Sequence, residues 1–143
     1  MNDYNLYNKK INNTESLVFK KEANEKKGDD MKKAINQLIH LAELGGVPEY
    51  GDYNAIKVDF KNDNERLNAS DITLSVAPSI LLKERPKERE LQIKVDSKDQ
   101  NYSYSTTLFR GEKAQILDKL KDDKLENEIK EFIALASDRF NEQ

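Results

Sequence analysis

Few side chains in this chain could do covalent chemistry. Histidine occurs once, at His40, and cysteine is absent, so thiolate nucleophiles, thiolate metal sites and disulfide frameworks are excluded together. No G-x-S-x-G elbow is present, and His40 has no acid or serine partner visible in the sequence. The phosphate-cradling patterns G-x-x-x-x-G-K-[ST] and G-x-G-x-x-G are also missing, and Gly45, Gly46 and Gly51 cluster at the wrong spacing for either. Asp59, Asp63, Glu65 and Asp71 invite a hard-cation reading. Lysine at position 61 and the lack of the required glycine break the EF-hand pattern, so a polar loop between strands accounts for them better. With 27 acidic residues, chance carboxylate pairs are inevitable and carry no specificity. The expectation is a non-enzymatic protein with no catalytic residue, metal ligand or cofactor.

What remains are side chains suited to recognition. The segment Val47-Pro48-Glu49-Tyr50-Gly51-Asp52-Tyr53 sets two tyrosines on a Gly/Pro-containing connection, where binding residues are often displayed by a rigid scaffold. Tyr50, Asp52 and Tyr53 are therefore candidate partner-binding residues, against the alternative that Val47 and Tyr50 tuck under the preceding helix. A second set lies in the last strand. Tyr102 and Tyr104 share a face with Thr106 and Leu108, while Ser103, Ser105 and Thr107 share the other with Phe109. Alternation alone leaves both registers open. With Leu108 inward, the tyrosines belong to the core. With Phe109 inward, they stand on the open face with Lys57 and Lys94, with Arg110 at the strand end, as a platform for stacking single-stranded bases.

The elements that would position these residues are legible as periodicities. Asp29-Asp30 are N-cap candidates for a helix whose stripe is Met31, Ile35, Leu38, Ile39 and Ala42, ended by Gly45-Gly46. His40 falls opposite that stripe and should face solvent. Ile56, Val58 and Phe60 alternate with charged residues over 54–61, as do Ile72, Leu74 and Val76 with polar ones over 71–82. Pro78 implies an edge, a bulge or the strand's end there, with Ile80-Leu81-Leu82 as a continuation beyond a bend. Leu91, Ile93 and Val95 mark a third strand, 97–101 a hairpin loop and 102–109 a fourth strand. After Gly111 comes a short helix carrying Ala114, Ile116, Leu117 and Leu120. A second helix begins near Asp123, with Glu126 as capping-box partner and Leu125, Ile129, Phe132, Ile133, Ala136 and Phe140 as its stripe.

These elements predict an α+β fold: a flexible N-terminal tail over 1–29, then a single domain over 30–143. That domain comprises one helix, a four-stranded antiparallel meander and two C-terminal helices packed on one sheet face. The 143 residues suit one domain, and 36% apolar against 36% charged residues implies a lean core. No apolar stretch resembles a membrane span or a secretory signal, which with the missing cysteine points to the cytoplasm.

The net charge of −3 and a pI near 5.3 argue against broad duplex-phosphate binding, and 19 of the 24 basic residues are lysine, the weaker choice for bidentate recognition. The Lys-, Asn- and Asp-rich make-up suits an AT-rich genome and the style of bacterial, phage or mobile-element accessory proteins. The leading expectation is a small acidic protein that binds another protein, as inhibitor, immunity protein or adaptor. A basic nucleic-acid-handling protein is a suitable target. The alternative is a single-stranded nucleic-acid binder using Lys57, Lys94, Tyr102, Tyr104 and Arg110. Oligomeric state is not encoded in any motif.

Overall fold

A computed structural model describes residues 30–46, 55–79 and 87–143. The element order is helix α1 (Asp30–Leu41), strands β1 (Ile56–Lys61), β2 (Asp71–Pro78), β3 (Arg89–Asp96) and β4 (Ser103–Gly111), then helices α2 (Lys113–Leu120) and α3 (Leu125–Asn141). The chain is α+β, as its periodicities require. The strands form one antiparallel sheet in the order β1-β2-β3-β4, so each strand lies beside its sequence neighbour. The 1–29 tail expectation and the Ile80-Leu81-Leu82 continuation lie outside the described residues.

The alternation of each strand decides which face meets the helices. Val58 and Phe60 of β1, Ile72, Leu74 and Val76 of β2, and Leu91, Ile93 and Val95 of β3 are all buried on one face. Against them pack Ala34, Ile35 and Leu38 of α1, Ile116 and Leu120 of α2, and the stripe Leu125, Ile129, Phe132, Ile133, Ala136 and Phe140 of α3. All six expected α3 positions are buried. A buried side chain of this size stabilises by about 1.5–3 kcal/mol, so this single apolar layer supplies most of the favourable burial. The other sheet face is polar, with Lys57, Asp59 and Lys61 beside Thr73 and Ser75, then Gln92 and Lys94.

Some local expectations are met and others need correction. β2 stops at Pro78, as expected of a residue without a backbone donor inside a central strand. Beyond Leu41 the first helix widens into a π-helical turn over Ala42–Gly46, so the double glycine closes that turn and not the α-helix itself. β4 spans Ser103–Gly111 where 102–109 was expected, with Gly111 paired with Arg89, and the short helix follows Gly111 as expected. Ala114 is exposed, since α2 turns Ile116 and Leu120 inward. Glu126 forms no capping box: α3 begins at Leu125 with Lys124 as N-cap, because Asp122 accepts the Lys124 N–H at 2.9 Å and tightens the turn before it. The reaching-back contact occurs on α2, where the Gln115 side-chain carbonyl accepts the Glu112 N–H at 2.9 Å.

One irregularity matters for function. Val95 faces Tyr104 and Ile93 faces Thr106, but beyond them Leu91 faces Phe109, so β4 carries one extra residue, Leu108, as a β-bulge. The bulge lets Tyr104 and Phe109, five positions apart, both turn toward the helices.

Candidate functional site

The turn between β3 and β4 is held by its own side chains. Ser97 donates to Asp99 at 2.7 Å and accepts the Tyr102 N–H at 3.1 Å, while Asp99 accepts the Asn101 N–H at 3.0 Å. Gln100 takes a positive φ of 61°, which closes the turn. The Ser97 hydroxyl, followed by the Asn101 N–H, holds the Asp99 carboxyl below the usual carboxylate range. The β1–β2 loop braces the same end. Asn68 accepts the Lys98 N–H at 2.9 Å, and its own N–H donates to the Ser137 hydroxyl on α3 at 2.7 Å.

From this rigid turn β4 runs along the sheet edge. Tyr102 stacks on Phe140 with ring centroids 6.5 Å apart, and Tyr104 stacks on Phe132 at 5.5 Å. Arg139 lies 5.9 Å from the Tyr104 ring centroid, and Lys119 lies 6.0 Å from that of Phe109. Both tyrosines therefore stand on the helix side. Lys57 and Lys94 are exposed on the opposite face, with Arg110 alongside Glu90 at the far end of the sheet. The structure does not bring tyrosines and lysines together, so the stacking platform envisaged for the open face is not assembled there. Tyr50, Asp52 and Tyr53 lie outside the described residues.

Around Arg110 the sheet holds a polar cluster that sequence reasoning missed. Glu90 points to the face away from the helices, yet it is only 1% exposed. Its carboxylate accepts from Gln92 at 2.8 Å, Thr107 at 3.1 Å, Ser79 at 3.3 Å and Arg110 at 3.2 Å. Glu88 lies 3.8 Å from the same guanidinium. A buried carboxylate needs this density of donors, because an unpaired charge in such a place is prohibitively costly. Among the described residues, the cluster's hydrogen-bond donors are turned onto Glu90. Its signature is structural: it locks β2, β3 and β4 together. In sequence Glu90 sits in Lys87-Glu88-Arg89-Glu90, which reads as solvated, so no local signal revealed it.

The remaining candidates are dispersed. Asp59 accepts from Thr73 at 2.8 Å, and Asp71 pairs with Lys61 and accepts from Gln100 at 3.1 Å. Among the described residues, no three histidine or acidic side chains converge as a metal site. His40 is exposed. A cavity of about 290 Å³ lies between α1 and the α2–α3 turn, lined in part by Lys32, Ile35, Ile39, Leu120 and Asp123. It is at the small end for a ligand site and its charges are of both signs.

The outer face of α3 is more distinctive. Leu135 is 44% exposed, one of three large apolar residues so exposed among the described residues. Glu131 and Asp138, four and three residues from it, and the C-cap Glu142, seven residues on, fall on the same side of the helix, as does Arg139, four residues on, which reaches toward Tyr104. No cation pairs with these three carboxylates among the described residues. The opposite side is the buried stripe, so α3 fixes the acidic patch rigidly on the core. Among the described residues, no helix is long and apolar enough to cross a membrane. Comparison of the chain with protein-family models, curated proteins and solved structures finds no match, so the functional reading rests on this geometry.

Proposed function

We propose that this protein is non-enzymatic and acts by binding another protein, as an inhibitor or adaptor directed at a basic target. The observation that carries the reading is the α3 patch: one exposed leucine, Leu135, flanked by Glu131, Asp138 and the C-cap Glu142, three carboxylates against the one cation Arg139. An apolar anchor with a charged rim is the layout in which desolvation at the centre gives affinity and the rim gives orientation and on-rate. Among the described residues no cation pairs with these carboxylates, so a lysine- or arginine-rich surface complements them. The chain's net charge of −3 adds long-range attraction for such a surface.

The test is capture from nuclease-treated lysate with the intact chain and with two variants, Leu135→Ala and Glu131→Lys/Asp138→Lys. A bound protein should be retained by the intact chain, weakened by Leu135→Ala and abolished by the charge reversal. Its retention should fall with added salt. Equal capture by all three proteins, each folded by circular dichroism, overturns the reading.

A further inference from the structure

Among the described residues, only one of the sheet's two edges is guarded. β1 presents Lys57, Asp59 and Lys61 along its length, and charges of this kind discourage a further strand from adding. At the other edge, the eight residues from Tyr102, just before β4, to Phe109 contain no charge, no proline and no glycine. Among the described residues no strand pairs on its outer side. Ser103, Ser105 and Thr106 are exposed. Thr106 is turned to the helix side and is still exposed, so the helical layer stops short of this edge. An uncharged strand with an accessible backbone is a template for strand addition.

We infer that a second copy of this chain occupies the edge: two β4 strands pair antiparallel about an axis through Ser105, giving one continuous eight-stranded sheet with all helices on one side. The bulge selects this register. The regular part of β4 runs from Ser103 to the residue before Leu108, and the midpoint of 103–107 is Ser105. Beyond the bulge the strand is redirected and leaves the pairing. With Ser105 opposite itself, Tyr104 meets Thr106 of the second copy and Ser103 meets its Thr107, keeping each side chain on its own sheet face. Aromatic–Thr and hydroxyl–hydroxyl cross-strand pairs of this kind are favourable. A second copy fits better than a strand of other chemistry because an uncharged strand meets itself without repulsion, and Arg110 falls outside the paired stretch. Five residues a side make a small interface, so association should be weak and concentration-dependent.

The inference is independent of the α3 patch, and the chain's lack of cysteine makes it directly testable. Single-cysteine full-length variants Ser105→Cys and Ser75→Cys, the latter on central strand β2, are oxidised mildly at increasing concentration. Any disulfide is then intermolecular, and directly opposed cysteines lie within bonding reach. Ser105→Cys should cross-link several-fold more than Ser75→Cys, and sedimentation of the cysteine-free chain should show a monomer–dimer equilibrium. Ser105→Lys should shift that equilibrium to monomer with an unchanged circular dichroism spectrum. Monomer at all concentrations, or equal cross-linking of the two cysteine variants, overturns the inference. Unimpaired dimerisation of folded Ser105→Lys overturns it equally.

Discussion

The Glu90–Arg110 pair offers the sharpest energetic test of the structure. Their closest atoms are 3.2 Å apart, with the Glu90 side chain 2% exposed and that of Arg110 38% exposed. At an effective dielectric of about 20, unit charges at that distance attract by about 5 kcal/mol. Water reaching the guanidinium and the cost of desolvating Glu90 offset much of this, leaving a coupling of about 2 kcal/mol. Arg110→Met keeps the aliphatic stem but removes this cation from the buried carboxylate, and should cost about 2–3 kcal/mol. Glu90→Gln puts an amide donor among donors from Ser79, Gln92, Thr107 and Arg110, and should cost about 1–3 kcal/mol. The double variant should be more stable than the sum of the single losses implies, by about 2 kcal/mol.

Urea titrations followed by far-UV circular dichroism suit a chain without tryptophan and give all four corners of the cycle. Repeating them in high salt separates this buried pair, which should change little, from exposed pairs such as Lys121–Glu43. Additivity within about 0.5 kcal/mol would refute the reasoning, because residues that share no interaction behave that way.

Two further outcomes follow from the same architecture. Asp99 should titrate below the ordinary carboxylate range in a carbon-13 NMR experiment, since the Ser97 hydroxyl and the Asn101 N–H favour its ionised form. Its folded pKa is depressed, so its contribution to stability is present above the unfolded value of about 3.9 and is lost as pH falls through the folded value. Ser97→Ala should move the Asp99 titration back toward the ordinary range. Phe132→Ala should cost about 3–4 kcal/mol in urea unfolding, because the ring is buried in the core and backs Tyr104. A loss under about 1 kcal/mol would mean that the tyrosine of β4 is not seated on α3.

The fold is legible in the sequence where an element carries its own period. The α3 stripe from Leu125 to Phe140 and the alternations of β1 and β3 each repeat within one segment, and burial follows them residue by residue. Glu90 failed for the opposite reason. Apart from Gln92, its donors Ser79, Thr107 and Arg110 lie eleven or more residues away, so its local sequence does not distinguish a buried carboxylate from a solvated one. The α3 patch was hidden differently. Leu135 adds to the apparent hydrophobicity of its helix, and only the buried side fixed by Ile129, Phe132, Ile133 and Ala136 shows that this leucine faces out.

The two registers weighed for β4 show how a period-two argument can be half right twice. Each assumed an unbroken strand, so Tyr104 and Phe109, separated by an odd number of residues, had to point to opposite faces. One extra residue at Leu108 removes that constraint and lets both rings reach the helical layer. A bulge interrupts the ladder, and it is tolerated here because each ring gains a helix-side contact, Tyr104 on Phe132 and Phe109 beside Lys119. The consequence runs from packing to function. With its aromatics turned inward, β4 leaves Ser103, Ser105 and Thr107 on the open face, where they offer no stacking surface for bases. What the strand still offers is its backbone edge, so the proposed pairing there uses main-chain hydrogen bonds, and the proposed recognition by side chains is left to the outer face of α3.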